Sequence, residues 1–411
     1  MLLNSRIKIY NNTKSILNTL KYLITESNSN LSFKIDLEKY LSQKVYLVPQ
    51  ARVGIYYILK YLKEKKNIEF VFISPYTNID VINAIRYASL NIKFIDIDLN
   101  TGYPLNLKTK IEHPEKSCLI ITHLYSNTKM IEKFIVEMSN IKNLKIIEDT
   151  AICFGAKYKE IFLGKIFNFG VYSFGLVKNL TTYFGGAVVS KDKEFENFYN
   201  EQIKSNINFP KKIIFNKLIY SIIVKLLFEN KFIFNFFTIY LLKIAYKDQN
   251  NFLFKTFYHQ KFPKIPTKIT KNYYYNFPSY LSKIGSKSLI NCQNQIDTRF
   301  KNALFYYNQL KHIKKIFLPK ISFDDKEVNA YLEYPIILEE DNKNLLSFLR
   351  KKKIYLRHHW YENNCKFFDF SDEILNNCEK LSKNLICLPC HIDINQSYQE
   401  KIIFEIKNYF R

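Results

Sequence analysis

Glycine is scarce in this chain, nine residues in 411, so a glycine that falls inside a motif carries information. Acidic residues are also in deficit: 37 Asp+Glu stand against 61 Lys+Arg, a formal net charge of +24. Such a field favours anionic partners, whether phosphorylated substrates, nucleic acid or an acidic membrane surface. The lysines form no arginine-rich or glycine-interleaved stripe, and Lys, Asn, Ile, Phe and Tyr are over-used throughout, as in a chain from a compositionally biased genome. No nucleic-acid partner is therefore expected. In the most apolar segment the longest uncharged run is Phe232 to Leu242, short of the ~20 residues a membrane-spanning helix needs. The opening MLLNSRIKIYNNTK is too polar for a signal peptide, which leads to the expectation of a cytoplasmic protein. Seven cysteines (Cys118, Cys153, Cys292, Cys365, Cys378, Cys387, Cys390), odd in number and scattered through apolar segments, fit reduced thiols. Cys387 and Cys390 form a CxxC, but no second one exists and no βαβ redox context precedes it, which argues against a zinc or thioredoxin role. No internal repeat is visible.

What is present is a large apolar fraction, 47% with 16% aromatic, enough for a substantial core and two to three domain-sized units. From about Val45 to Ser190 short apolar runs (VYLVP, FVFISP, IKFIDID, CLIITHL, LKIIED) alternate with amphipathic helical stretches. That is the pattern of an α/β domain with a mostly parallel sheet covered on both faces. Residues 203–258 break it, reading as two apolar helices studded with Lys and Asn. They are expected to pack on the body or at a subunit contact, with an interfacial helix whose lysines meet anionic lipid as the alternative. Pro263 and Pro266 mark a linker. Beyond it lie a long helical pattern, SKIGSKSLINCQNQIDTRFKNALFYYNQL, strands in AYLEYPIIL and KIYLRHHW, and a closing helix. The expected organisation is a large domain over 1–262, carrying the apolar insertion, and a small α+β domain over 263–411.

Two residues stand out chemically. Asp149 ends the apolar run LKIIED, and Lys178 follows a second run in VYSFGLVK, 29 positions later. A carboxylate and an amine are what pyridoxal 5'-phosphate (PLP) needs, one for its ring nitrogen and one for its aldehyde. In a lysine-rich chain a solvated surface lysine is the plain alternative, and a strand-end acid is often only a helix cap. The cofactor's phosphate needs hydroxyl and backbone N–H donors, which Ser173 and the amides of Arg52 and Val53, opening RVGIYYILKYL, could supply. A serine at a strand end is, however, commonest as a turn residue.

Several stretches then resemble one family, the DegT/DnrJ/EryC1/StrS sugar aminotransferases of the aspartate-aminotransferase-like fold (PLP-dependent transferase fold type I). IIEDTAICFGAKYK is similar to "VIEDAAQALGA-Y-G", and VYSFGLVKNLTTYFGGAVVS to "-FSF---K-LTTGEGGAVV". THLYSN resembles "HLYG", and LICLPCHIDINQ the "LSLP-HP-L" signature. The resemblance implies a homodimeric PLP enzyme that moves an amino group, usually from glutamate, to a keto sugar nucleotide for cell-envelope polysaccharide or glycan synthesis. It implies that Lys178 carries the cofactor, Asp149 partners its ring nitrogen and Ser173 binds its phosphate.

The chain also departs from the family pattern. The family's glutamine three residues after the aspartate is Ile152, its Ser-Gly-Thr loop is Gln50-Ala51-Arg52, and its "GEGG" is Tyr183-Phe184-Gly185-Gly186. Its ring-stacking aromatic falls on Asn78, or Tyr76 takes the place over; its partner-supplied "GYN-R" maps onto Asn272 to Asn276. Two rival readings follow. One is a PLP- or pyridoxamine-dependent sugar dehydratase, although the dehydrating branch replaces the lysine by histidine. The other is a degenerate regulatory or membrane-associated member. His123 in THLY and the Arg357-His358-His359-Trp360 cluster are further candidates for contact with substrate, with structural roles as the plainer alternative.

Overall fold

The apolar runs between Val45 and Ser190 become the strands of one sheet. In chain order the strands are β1 (Tyr46–Val48), β2 (Phe70–Ile73), β3 (Asn91–Phe94), β4 (Ser117–Thr122) and β5 (Lys145–Asp149). A two-stranded hairpin, β6 (Lys157–Tyr158) and β7 (Ile161–Phe162), precedes β8 (Phe169–Ser173) and β9 (Gly186–Ser190). The seven-stranded order is β1-β9-β8-β5-β4-β2-β3. The run from β8 through β5, β4 and β2 to β3 is parallel, while β9 lies antiparallel between β8 and β1. Every residue of β4 is buried, as a central strand covered on both faces requires. The computed structural model describes residues 5–10, 12–25, 31–126, 128–247, 265–357, 361–368 and 375–411.

A second, antiparallel sheet holds β10 (Ile316–Phe317), β11 (Glu333–Leu338) and β12 (Leu385–Pro389) in that order. The helix Gln396–Phe410 packs beside it, and so do the N-terminal residues: Ile9, Ile16 and Leu23 share a core cluster with Tyr334, Ile336 and Leu338. The long helical pattern is in fact two helices, Ser282–Ile290 and Cys292–Leu310, broken at Asn291. The first of these packs on the helix Ser32–Leu41, where Phe33 occupies the space a side chain at Gly285 would need. The expected strand in KIYLRHHW does not form over Lys353 to Leu356. Lys353 turns left-handed (φ 60°) and Ile354 donates to the Leu349 carbonyl at 2.9 Å, so the segment caps the preceding helix, Lys343–Lys351. Only Arg357 pairs with β12, at Cys387, and His358, His359 and Trp360 lie outside the described residues.

The apolar insertion forms two helical rods. Lys211–Val224 runs on through a wide π-type turn, Lys225–Glu229. After Asn230 the chain resumes as Lys231–Ile233, a second π segment Phe234–Thr238, and Ile239–Lys247. Asn230 caps the second rod, its side-chain oxygen accepting from the amides of Phe232 and Ile233 at 3.0 Å. Ile214, Leu218, Ser221, Val224 and Phe228, spaced three or four apart, face inward.

Candidate active site

Parallel strands gather ligands at their carboxyl ends, and that is where the two chemically distinctive residues lie. Asp149 closes β5 opposite Thr122, the last residue of β4. Ser173 closes β8 opposite Gly186. The chain then turns through Lys178 and returns as β9. The turn is fixed by backbone bonds from Phe174 to the Gly185 carbonyl (2.9 Å), from Lys178 to Gly175 (3.1 Å) and from Thr182 to Phe174 (3.0 Å). A side chain at Gly175 would begin 3.8 Å from both the Lys178 Cγ and the Ser173 Oγ, so these two flank one small hollow.

The helix Ala51–Lys66 starts at this same end, because Gln50 bridges to Gly185. A side chain at Gly186 would come within 2.8 Å of the Ala51 amide, which explains a glycine there. First-turn amides of a helix precede its internal hydrogen-bond ladder. The Val53 amide is nevertheless spent on the Gln50 carbonyl at 3.0 Å, which leaves Arg52 as the amide available of the two expected. The Arg52 side chain turns away, donating to Gln50 Oε1 at 2.7 Å and pairing with Asp80. Asn78 is also committed, its side-chain oxygen capping the helix Ile79–Tyr87 by accepting from the Asp80 amide at 2.9 Å. Tyr76 is fully buried and meets the Tyr361 ring edge-on at 5.8 Å.

Electrostatics tie the constellation together. Burial pushes the Asp149 carboxyl above the usual carboxylate range, against the Ala151 amide donating to its Oδ1 at 3.0 Å and the positive influence of Lys178 and His123. Lys178 keeps a little solvent contact, yet enough protein surrounds its amine for desolvation to dominate, and its pKa falls to about 8. Asp149, Cys153 and Glu333 oppose that shift, while Arg357 adds to it. The amine and the carboxylate thus feel each other's charge within one site.

Sequence reasoning missed three members of this site. Tyr361, buried, senses the charges of Asp149 and Arg357. Glu333, on β11, pairs with Arg357 at 3.3 Å. Glu148, beside Asp149, is a buried hub whose carboxylate accepts from the amides of Gly164, Ile166 and Phe167 at 2.7–2.8 Å and from His123 Nε2 at 3.0 Å. His123 Nδ1 in turn shares a hydrogen bond of 2.9 Å with the Tyr103 hydroxyl. His123 is therefore a fully hydrogen-bonded structural residue behind Asp149, and not an entrance residue. Arg357, by contrast, does reach the site, and with Arg6, Arg299, Glu333 and Val177 it lines a cleft next to Lys178. All seven cysteines are free thiols, and among the described residues no cluster of His, Cys, Asp and Glu could hold a metal.

With this geometry in place, comparison with known proteins is informative. The model of the DegT/DnrJ/EryC1/StrS aminotransferase family matches residues 9–203 and 255–407, leaving out most of the apolar insertion. GDP-perosamine synthase of Escherichia coli O157:H7 is 35% identical over 125 residues, 30% of this chain and 34% of that protein. dTDP-4-amino-4,6-dideoxy-D-glucose transaminase of Shigella dysenteriae is 22% identical over 358 residues, covering 82% and 78% of the two chains. The first curated relatives are thus matched over a third to under half of their own length. Among solved structures, Helicobacter pylori PseC, an aminotransferase involved in the biosynthesis of pseudoaminic acid, superposes with TM-score 0.70 at 16% identity over 99% of both chains. The E. coli GDP-4-keto-6-deoxy-D-mannose-3-dehydratase with bound hydrated PLP does so with TM-score 0.72, again at 16% identity, over 98% of this chain and all of that one. At such identity the likeness establishes the fold, that of the PLP-dependent aminotransferases.

Proposed function

The chain belongs to the DegT/DnrJ/EryC1/StrS aminotransferase family, and from that premise we propose that it is a PLP-dependent transaminase moving an amino group from glutamate to a keto sugar carried on a nucleotide. It would act as a cytoplasmic homodimer in cell-envelope glycan synthesis. The observation that carries this reading is the electrostatically coupled pair at the carboxyl end of the sheet, an amine with its pKa lowered to about 8 and a buried carboxylate. A surface lysine would show neither the burial nor the shift.

The residues present fit the cofactor. Lys178 would hold its aldehyde and Asp149 its ring nitrogen, while Ser173 and the Arg52 amide would receive its phosphate. Tyr76, rather than the committed Asn78, would provide the aromatic wall beside the ring. Bound there, PLP supplies an electron sink for the bonds at the reacting carbon. Asp149, in its anionic form, would keep a proton on the ring nitrogen. The Lys178 amine, freed by the incoming donor, is poised to lift and return a proton, since a pKa near 8 leaves a useful neutral fraction close to physiological pH. Arg6, Arg299 and Arg357 give the neighbouring cleft the positive charge that a nucleotide diphosphate or a donor carboxylate requires. The retained lysine with its tuned amine also supports transamination over the dehydrating and non-catalytic alternatives.

The test is to incubate the holoenzyme with glutamate and a panel of keto-sugar nucleotides and follow conversion by mass spectrometry. Amino-sugar nucleotide with matching 2-oxoglutarate is expected. Cofactor-loaded protein that forms no 2-oxoglutarate with any member of the panel would overturn the assignment.

A further inference from the structure

The rods between Lys211 and Lys247 are apolar on the side that faces away from the protein. Phe215, Ile219, Ile222 and Leu226 run along the first rod, and Phe232, Phe236, Tyr240 and Ile244 along the second, at spacings of three or four residues. Each set is one continuous stripe on a helix surface. These are large side chains left open, with Phe232 67%, Tyr240 62% and Phe236 61% exposed. Between its lysines the first rod carries large apolar side chains on its outer as well as its inner side, a pattern that calls for cover on both. Among the described residues the protein covers the inner side, through Ile214, Leu218, Val224 and Phe228.

The charge of this segment is almost all of one sign. Seven lysines (211, 212, 217, 225, 231, 243 and 247) stand against a single acid, Glu229. That acid is turned inward and occupied, accepting from the Ile9 amide at 2.7 Å and pairing with Lys8 at 3.0 Å and Lys225 at 2.7 Å. Lys211, Lys212, Lys231, Lys243 and Lys247 are exposed around the apolar stripes. Among the described residues no helix is long and apolar enough to cross a membrane. The stretch also lies within the gap of the family match, so the shared catalytic fold does not account for it.

We propose that the outward face of residues 211–247 is a docking surface for an anionic lipid bilayer, with the two rods lying in the plane of the interface. Phenylalanines and isoleucines would enter the headgroup region while the surrounding lysines meet lipid phosphates. A second copy of the chain suits this face less well. Two-fold pairing would set lysines against lysines with no free acid between them. The docked rods would sit beside the turn that follows Lys178, since Lys217 on the first rod lies over the ring of Phe184.

The experiment is co-sedimentation of the full-length protein with vesicles of phosphatidylcholine alone and of phosphatidylcholine mixed with phosphatidylglycerol. The protein is expected to pellet with the anionic vesicles only, and to be released by high salt. The double variant Phe232→Ser/Phe236→Ser is expected to bind them at least about tenfold more weakly, with an unchanged melting temperature showing that the fold survives. Lys231→Ala/Lys243→Ala should weaken binding by a smaller factor that disappears in salt. The proposal is overturned if the wild-type chain ignores anionic vesicles, or if neither variant changes its binding. It is also overturned if the phenylalanine variant instead halves the mass seen in size-exclusion chromatography while vesicle binding is absent, since the face would then be a contact between copies. None of these readouts involves turnover, so they stand or fall apart from the proposed reaction.

Discussion

The carboxyl end of the seven-stranded sheet and the pair of rods after it are built on opposite terms. At the sheet end, most polar groups are drawn inside and matched: the carboxylate of Glu148 accepts from three amides and a histidine, and the turn carrying Lys178 is pinned by its own backbone. The exception is Asn179, beside Lys178, whose buried side-chain amide has no partner among the described residues. In the rods, the polar side chains bond mainly to nearby backbone, as at the Asn230 cap, Ser221 and Thr238, or to Glu229, while large apolar side chains are turned outward. Such matching counts because a buried polar group left without a partner costs more than a typical hydrogen bond gains. The sheet end therefore suits the chemistry proposed for it, and the rods suit the docking proposed for them. The family match covers the first and passes over the second, which agrees with that division of labour.

The sharpest way to break this contrast is at Lys178. Lys178→Ala is expected to lower turnover by at least about a thousandfold, the scale of removing a group that acts in concert with its neighbours. It should also abolish the cofactor absorbance that depends on the amine, with circular dichroism unchanged. In the wild type, the rate at which apoprotein takes up the aldehyde cofactor should rise with pH through a midpoint near 8, because only the neutral amine attacks. A midpoint above pH 10 would mean that burial does not tune this amine.

On the inward side of the rods the expected effect is one of stability. Phe234 is buried beside Phe228, with ring centroids 6.2 Å apart. Phe234→Ala should cost about 3–5 kcal/mol in denaturant unfolding, from lost burial plus the cavity left behind. A cost below ~1 kcal/mol would show that the rods are not docked on the body.

A third effect is set by pH. His391 is buried, its Nε2 donating to the Ser5 carbonyl at 2.8 Å, with Arg299 and Lys8 opposing a proton and Asp393 favouring one. Desolvation lowers its pKa from 6.5 to about 4. Between those values the unfolded chain binds the proton and the folded one does not, so stability falls as pH drops from about 6.5 toward 4. The loss should reach up to ~3 kcal/mol and be reduced in His391→Gln, measured by thermal melts across that range.

Much of the sheet end was readable in the sequence. Continuous apolar runs mark central strands whatever their neighbours, and Asp149 and Lys178 stand out because a cofactor with an aldehyde and a ring nitrogen needs both groups. What could not be read depends on distance in the chain. Glu148 looks like one more strand residue until the loop at Gly164–Phe167 folds over it, and Tyr361 and Glu333 reach the site only once β11 and the segment at Tyr361 pack against the large sheet. The antiparallel setting of β9 left no mark, since buried runs look alike in either direction. KIYLRHHW has the composition of a strand, yet the residues Lys353 to Leu356 close the preceding helix. In the rods the apolar pattern was legible, and the side left open was not, because helical periodicity shows which residues share a face without showing what covers it.

The smallest expected effect is the one that separates the two sides of the rods. Phe237 is 54% exposed, three residues on from the core-facing Phe234 within the same π segment. If the outward face carries no part of the folding free energy, Phe237→Ser should shift stability by no more than about 0.5 kcal/mol in the absence of lipid, as for surface substitutions generally. Equilibrium urea unfolding, read at matched protein concentrations, checks this. A loss approaching that of Phe234→Ala would mean that the phenylalanine is covered in solution, by a second copy or by another part of the chain, and the apolar stripe would then belong to the protein's own core.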